Sequence, residues 1–217
     1  MSQSRPRAAG PDPKVIGGVV AGVMVLVIAS IIFISSGGDD EDSVSTDPDA
    51  PLEYGIITTD GDPLPQLPDA GDDPAVGMLA PSIVSERAEG QVRLEPGPGG
   101  EPTMVVFLAH WCQYCQAEVP RLAELDAEGV FDDIRVVNVL TATPPERDNY
   151  PPSAWLDREG LEGERLFDDE QGTVAANYGL SGLPFIVFLD ADGNVVERVS
   201  GEQPAEGIES AVATITP

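Results

Sequence analysis

The sequence predicts one α/β domain, a mixed sheet with helices on both faces, set behind a single membrane-spanning helix. Three observations predict it. Val15 to Ile34 is a stretch of 20 residues without a charge. Thr103-Met104-Val105-Val106-Phe107-Leu108-Ala109 is a continuous apolar run that leads directly into helical spacing. Beyond it, strand and helix patterns alternate until the chain closes on a hairpin and a helix.

The first run spans the thickness of a hydrocarbon core, because a helix rises ~1.5 Å per residue and the core is about 30 Å thick. A core helix of that length would show a polar face. A cleaved leader has an apolar region of about 7–15 residues ending at a small-x-small site, and Ile34-Ser35-Ser36 matches that poorly. The run is therefore taken as an uncleaved signal anchor. Arg5, Arg7 and Lys14 precede it and Asp39-Asp40-Glu41-Asp42 follow it. That asymmetry predicts a cytoplasmic tail at 1–14, a single-pass anchor in the cell membrane at 15–34, and an extracytoplasmic remainder.

Residues 35–73 predict an acidic, Pro/Gly-rich tether. Asp39 to Asp73 holds twelve Asp or Glu and no Lys or Arg, with five prolines interspersed. Like charges repel and proline favours extended backbone, so little here offsets the entropy of ordering. Leu52-Glu53-Tyr54-Gly55-Ile56-Ile57-Thr58 interrupts the pattern and could add a strand to the domain that follows, 74–217. Across all 217 residues, 11 Lys+Arg against 38 Asp+Glu give a net charge of -27. Nucleic acid is excluded as a partner, since no basic face can be assembled.

Within the domain, the run at 103–109 is a central strand buried on both faces. Gln113 to Glu128 follows as a helix with Val119, Leu122 and Leu125 on one side. Pro120 should kink that helix, or end it at Val119. Asp133 to Leu140 is a second core strand. Ser153 to Gly160, preceded by Pro151-Pro152, and Gly172 to Tyr178 are helices. Phe185 to Leu189 is a third strand, joined through Asp192-Gly193 to Val195–Val199 as a hairpin. Pro204 to Ile215 closes the domain as a helix.

Both cysteines of the chain lie where the first core strand meets the first helix, in Ala109-His110-Trp111-Cys112-Gln113-Tyr114-Cys115. Unpaired N–H groups and the helix dipole at that end favour an anion, so the first thiol ionises more readily. Cys112, at the open end, is the expected nucleophile of disulfide exchange, and Cys115, one turn further in, the resolving thiol. Trp111 is expected to pack beside the pair. A zinc site needs about four ligands and His110 is the one other nitrogen or sulfur donor nearby, so no metal or other cofactor is implied. A metal chaperone holding a soft ion, or a non-catalytic binding module, is the rival reading.

The segment Phe107 to Pro120 resembles the TlpA/ResA type of membrane-tethered thiol-disulfide oxidoreductase, which has a thioredoxin-like fold. The pattern is a phenylalanine-containing strand, W-C-x-x-C, then Glu three and Pro five residues after the second cysteine, here Glu118 and Pro120. Gly77-Met78-Leu79-Ala80-Pro81 resembles the opening motif of that group, and Gly182-Leu183-Pro184-Phe185 the segment carrying its cis-proline. The resemblance implies that Pro184 faces the cysteine pair and holds bound peptide, with Leu183 giving the adjoining backbone contact. It also implies a TlpA-type insertion, roughly Thr141 to Gly172. The implied partners are cysteine-containing exported proteins and a transmembrane or extracytoplasmic electron donor or acceptor. Reduction of client disulfides is favoured over the alternative of an oxidase of the same fold.

The chain departs from the expected pattern at Val106 and at the dipeptide between the cysteines, Gln113-Tyr114, which has neither the proline nor the histidine of several relatives. Six residues before Cys112, where thioredoxin has a buried acid, this chain has Val106. Glu118 is the nearest replacement, against the simpler reading of a solvated helix acid. His110 has two readings as well, a cation that stabilises the thiolate and an exposed loop residue, and the second is preferred. Trp155 and Tyr150 are expected to pack the insertion onto the domain.

Overall fold

The computed structural model describes residues 52–216. The tail and anchor expected at 1–34, and the beginning of the tether, lie outside the described residues. Among the described residues no helix is long and apolar enough to cross a membrane. In chain order the elements are β1 (Ile56–Asp60), β2 (Ser82–Arg87), β3 (Gly90–Leu94), β4 (Thr103–Leu108), α1 (Gln113–Ala127), β5 (Arg135–Leu140), α2 (Pro152–Glu159), β6 (Glu164–Phe167), α3 (Thr173–Asn177), β7 (Phe185–Leu189), β8 (Val195–Ser200) and α4 (Ala205–Ile215).

Five strands form the central mixed sheet in the order β6-β5-β4-β7-β8. β4 runs parallel to β5, β5 parallel to β6, and β7 antiparallel to both β4 and β8. All six residues of β4 are buried, because both faces of its pleat are covered. Met104, Val106 and Leu108 face a core completed by Val119 and Leu122 of α1, Trp155 of α2, and Ile208 and Val212 of α4. Val105 and Phe107 face the other, with Val174, Tyr178, Ile83 and Leu94. The second face is thus covered by α3 and a separate antiparallel sheet, β1-β2-β3.

Every strand and helix expected between residues 103 and 215 is present, with small shifts at the ends. Proline does not end α1, which continues through Pro120 to Ala127. The β2–β3 hairpin and β6 were not expected. β6 has four residues of which Leu166 alone is fully buried, too short a pattern to register.

The ordered body also begins earlier than residue 74. Tether positions 52–73 supply β1, which pairs with β2. They also supply Leu64, 3% exposed in the second core. Gly55 permits this docking: a Cβ there would overlap the Phe167 carbonyl and the Ser85 hydroxyl. Asp73 closes the segment by pairing with Arg198, whose guanidinium also donates to the Pro65 and Tyr178 carbonyls at 2.9 Å. Composition predicted solvation here because the apolar groups are few, but Ile57, Leu64 and Leu67 pack into the second core.

Candidate active site

Cys112 is the N-cap of α1, its backbone extended (φ -76°, ψ 116°) as the strand-to-helix turn requires. Its N–H donates to the Ala109 carbonyl and its carbonyl accepts from Gln116, both at 3.0 Å. The two residues between the cysteines, Gln113 and Tyr114, are exposed. Both cysteines are free thiols. They differ in access: Cys112 is 9% exposed and Cys115 fully buried. Burial pushes the Cys115 thiol well above its ordinary pKa, and the nearby Cys112 and Glu118 push it the same way.

Leu183 and Pro184 stand opposite the pair. Their peptide bond is cis, and the Leu183 carbonyl accepts from the Cys112 Sγ at 3.7 Å. Pro184 is buried, and its own carbonyl accepts the Gly201 N–H at 2.8 Å. Cys112 is therefore the sulfur that meets this loop, with Cys115 beneath it.

Glu118 is not a solvated helix acid. Its side chain is fully buried, and its carboxylate accepts from the Gln203 N–H at 3.1 Å and from the Arg121 guanidinium at 2.7 Å. Burial raises its pKa, opposed by the Gln203 hydrogen bond and the Arg121 charge. A buried carboxyl whose anion is supported by these partners is a candidate proton acceptor, and its field reaches the Cys115 thiol. Val106 is buried in the same core as both cysteines, so the strand supplies no acid there.

His110 overturns the preferred expectation of an exposed loop residue, since it is fully buried. Nδ1 lies 2.7 Å from the Asp148 carbonyl; a carbonyl only accepts, so Nδ1 carries the proton. Nε2 has no hydrogen-bond partner among the described residues. Burial lowers the pKa, leaving the ring neutral rather than a cation beside the thiolate.

The insertion grips this corner of the site. Asn149 donates to the His110 carbonyl at 3.2 Å. Trp111 is half-buried and donates from Nε1 to the Ala142 carbonyl at 2.7 Å, and the Arg147 guanidinium lies 4.6 Å from its ring centre. Tyr150 packs edge-on against His110, and Trp155 lies in the core. Sequence reasoning missed Arg121, Arg147, Asn149 and Gln203. The three-residue spacing of Glu118 and Arg121 was available as a signal; the others act across 36 or more positions and left none.

A strand-to-helix Cys-x-x-Cys facing a cis-proline loop, on a mixed sheet clad with helices, defines a thiol-disulfide oxidoreductase. Residues 96–216 match the family described as thioredoxin-like domain, and the chain belongs to that family. Within it the chain is of the ResA/DsbE type. It is 27% identical over 142 residues to the thiol-disulfide oxidoreductase ResA of Bacillus thuringiensis (strain Al Hakam), covering 65% of this chain and 79% of the relative. It is 29% identical over 136 residues to a thiol:disulfide interchange protein DsbE homolog of Paracoccus denitrificans, covering 62% and 71%. The fold is shared with the thioredoxin domain of a Bacteroides vulgatus thiol-disulfide oxidoreductase, at 19% identity and a TM-score of 0.51 over 66% of this chain and 99% of that one.

Proposed function

We propose that the protein reduces disulfides of exported proteins on the outer side of the cell membrane, tethered there by residues 15–34. The observation that carries the reading is the contrast between the sulfurs: Cys112 at the Leu183–Pro184 loop, Cys115 buried behind it beside Glu118.

The Cys112 thiolate attacks one sulfur of a client disulfide held as an extended strand along Leu183–Pro184. The client S–S bond breaks, its second sulfur leaves with the electron pair, and a mixed disulfide joins Cys112 to the client. Cys115 then gives its proton to Glu118 and attacks the Cys112 sulfur. The mixed disulfide breaks, the client leaves as a second thiolate, and Cys112 and Cys115 are left bonded to each other. Two electrons have passed to the client, and a dithiol of a membrane or extracytoplasmic donor restores them. Support for the reducing direction comes from the resemblance of the Phe107–Pro120 segment to the membrane-tethered TlpA/ResA type and from the tether expected in the sequence.

The test is activity of the full chain on a disulfide peptide. Cys112→Ser abolishes exchange, while Cys115→Ser accumulates mixed disulfides with the peptide. Full activity in Cys112→Ser would remove the nucleophile from this scheme. Alkylation trapping in cells reports direction: a largely reduced pair is expected, and a largely oxidised one makes the protein an oxidase.

A further inference from the structure

We propose that Arg121 is the positioning residue that sets the working charge of Glu118, and that through the loop Gly201–Gln203 it holds this proton acceptor in register with the Pro184 segment. The proposal rests on the reading of Glu118 as the acceptor of the Cys115 proton and names what makes a buried carboxylate usable in that role.

The geometry is a bracket. One Arg121 nitrogen donates to the Glu118 carboxylate at 2.7 Å and to the Gln203 carbonyl at 2.6 Å. The other donates to the Glu202 carboxylate at 2.8 Å. Gln203 returns its N–H to Glu118, and Gly201, two residues earlier, donates to the Pro184 carbonyl. Three consecutive residues after β8 thus touch the proline loop at one end and the acceptor at the other, and Arg121 fastens them to α1. The hydrogen bonds and ion pairs of Arg121 run to Glu118, Glu202 and Gln203 and not to either sulfur; its effect passes through Glu118.

The charged and titratable groups that face Glu118 are Cys115 and Arg121 from its own helix and Glu202 from the loop. Cys115 is neutral until the resolving step, and Glu202 opposes ionisation of Glu118. Arg121 is accordingly the one cation of the group. Without it, burial and Glu202 act unopposed by any charge, and the carboxyl stays protonated to higher pH. The resolving step then loses its acceptor: the Cys115 proton has nowhere to go as the sulfur bonds to Cys112 and the client sulfur leaves with its electron pair.

A single-turnover reaction of the reduced full-length chain with oxidised glutathione separates the steps. The first glutathione released reports attack by Cys112, the second attack by Cys115. Arg121→Gln removes the charge and leaves a shorter, neutral side chain. It should leave the first release unchanged and slow the second about tenfold at acidic pH, with the loss shrinking as pH rises, since a neighbouring cation lowers a carboxyl pKa by about one unit or more. Arg121→Lys should restore most of the second rate. Equal slowing of both releases, a pH-independent loss, or an Arg121→Lys variant as impaired as Arg121→Gln would overturn the proposal. Should Glu118→Gln leave the second release untouched, the acceptor role itself fails. If Glu118→Gln slows it and Arg121→Gln does not, the acceptor stands and only this inference falls.

Discussion

His110 and Glu118 flank the cysteine pair, one on each side, and both are completely buried. Burial disfavours the charged form of each, so it lowers the histidine pKa and raises that of the glutamate. Their partners separate them. His110 meets a backbone carbonyl and an aromatic ring, neither of which repays a proton held in a dry pocket. Glu118 meets a guanidinium and an N–H that support its anion. One flank is an uncharged fixture that holds the Cys-x-x-Cys turn to the insertion; the other is able to take and return a proton. Depth alone does not mark a catalytic group, and the neighbours decide.

Glu118→Gln gives the largest effect and tests the second half of that contrast. The amide has the same shape but accepts no proton, so release of the second thiol in single turnover should fall about a hundredfold, within the range of a positioned proton acceptor. The equilibrium titration of Cys115 should move the opposite way, to lower pH, because one charge that raises it is gone. A slower step with an easier ionisation distinguishes lost proton transfer from general loosening. If resolution keeps its wild-type rate, the comparison loses its functional half.

His110→Phe tests the first half with a smaller effect. It removes the hydrogen bond to the Asp148 carbonyl, worth about 1 kcal/mol net. Urea unfolding of the full chain should register that loss. The pH dependence of both release steps should stay as in the wild type, since a neutral ring contributes no charge to the thiolate. A shift in the pH dependence of the first release would restore His110 as an electrostatic participant.

The cysteine pair, the central strands and the helix carrying Glu118 were legible in the sequence because each rests on a local pattern. Residues 104–108 have no polar position to expose, and Cys112 and Cys115 are three apart at the start of a helix. Pro184 was legible only by resemblance, since nothing in its own surroundings says that it will face a sulfur 72 residues away. The burial of His110 was not legible. It follows from the insertion folding back over the turn, which brings Asp148 and Asn149 onto it from 38 and 39 residues away. Segment 52–73 was legible only in part: the interruption at Leu52–Thr58 signalled a strand, found at Ile56–Asp60, while the docking of the rest went unsignalled. Its six acids and three prolines pointed to solvation, yet Leu64 and Gly55 fit a surface built by other parts of the chain.

Asp73 extends the comparison to a half-buried group whose partner wins outright. Burial pushes its pKa up, but the Arg198 guanidinium and the Ala75 N–H together hold it below the ordinary carboxylate range. A carboxyl depressed in the folded state stabilises the fold above its unfolded pKa and loses that contribution as pH falls through the lower, folded value. At neutral pH the contribution is complete. Asp73→Asn should therefore be less stable than the wild type at neutrality, and the gap should close only in strong acid, below the ordinary range for an aspartate. Urea midpoints of the two chains, measured side by side at descending pH, read that gap directly and cancel the other carboxylates. A gap that closes above the ordinary range would mean that burial had prevailed here as it does at Glu118, and the ranking of the two sites by their arginine partners would have to be reversed.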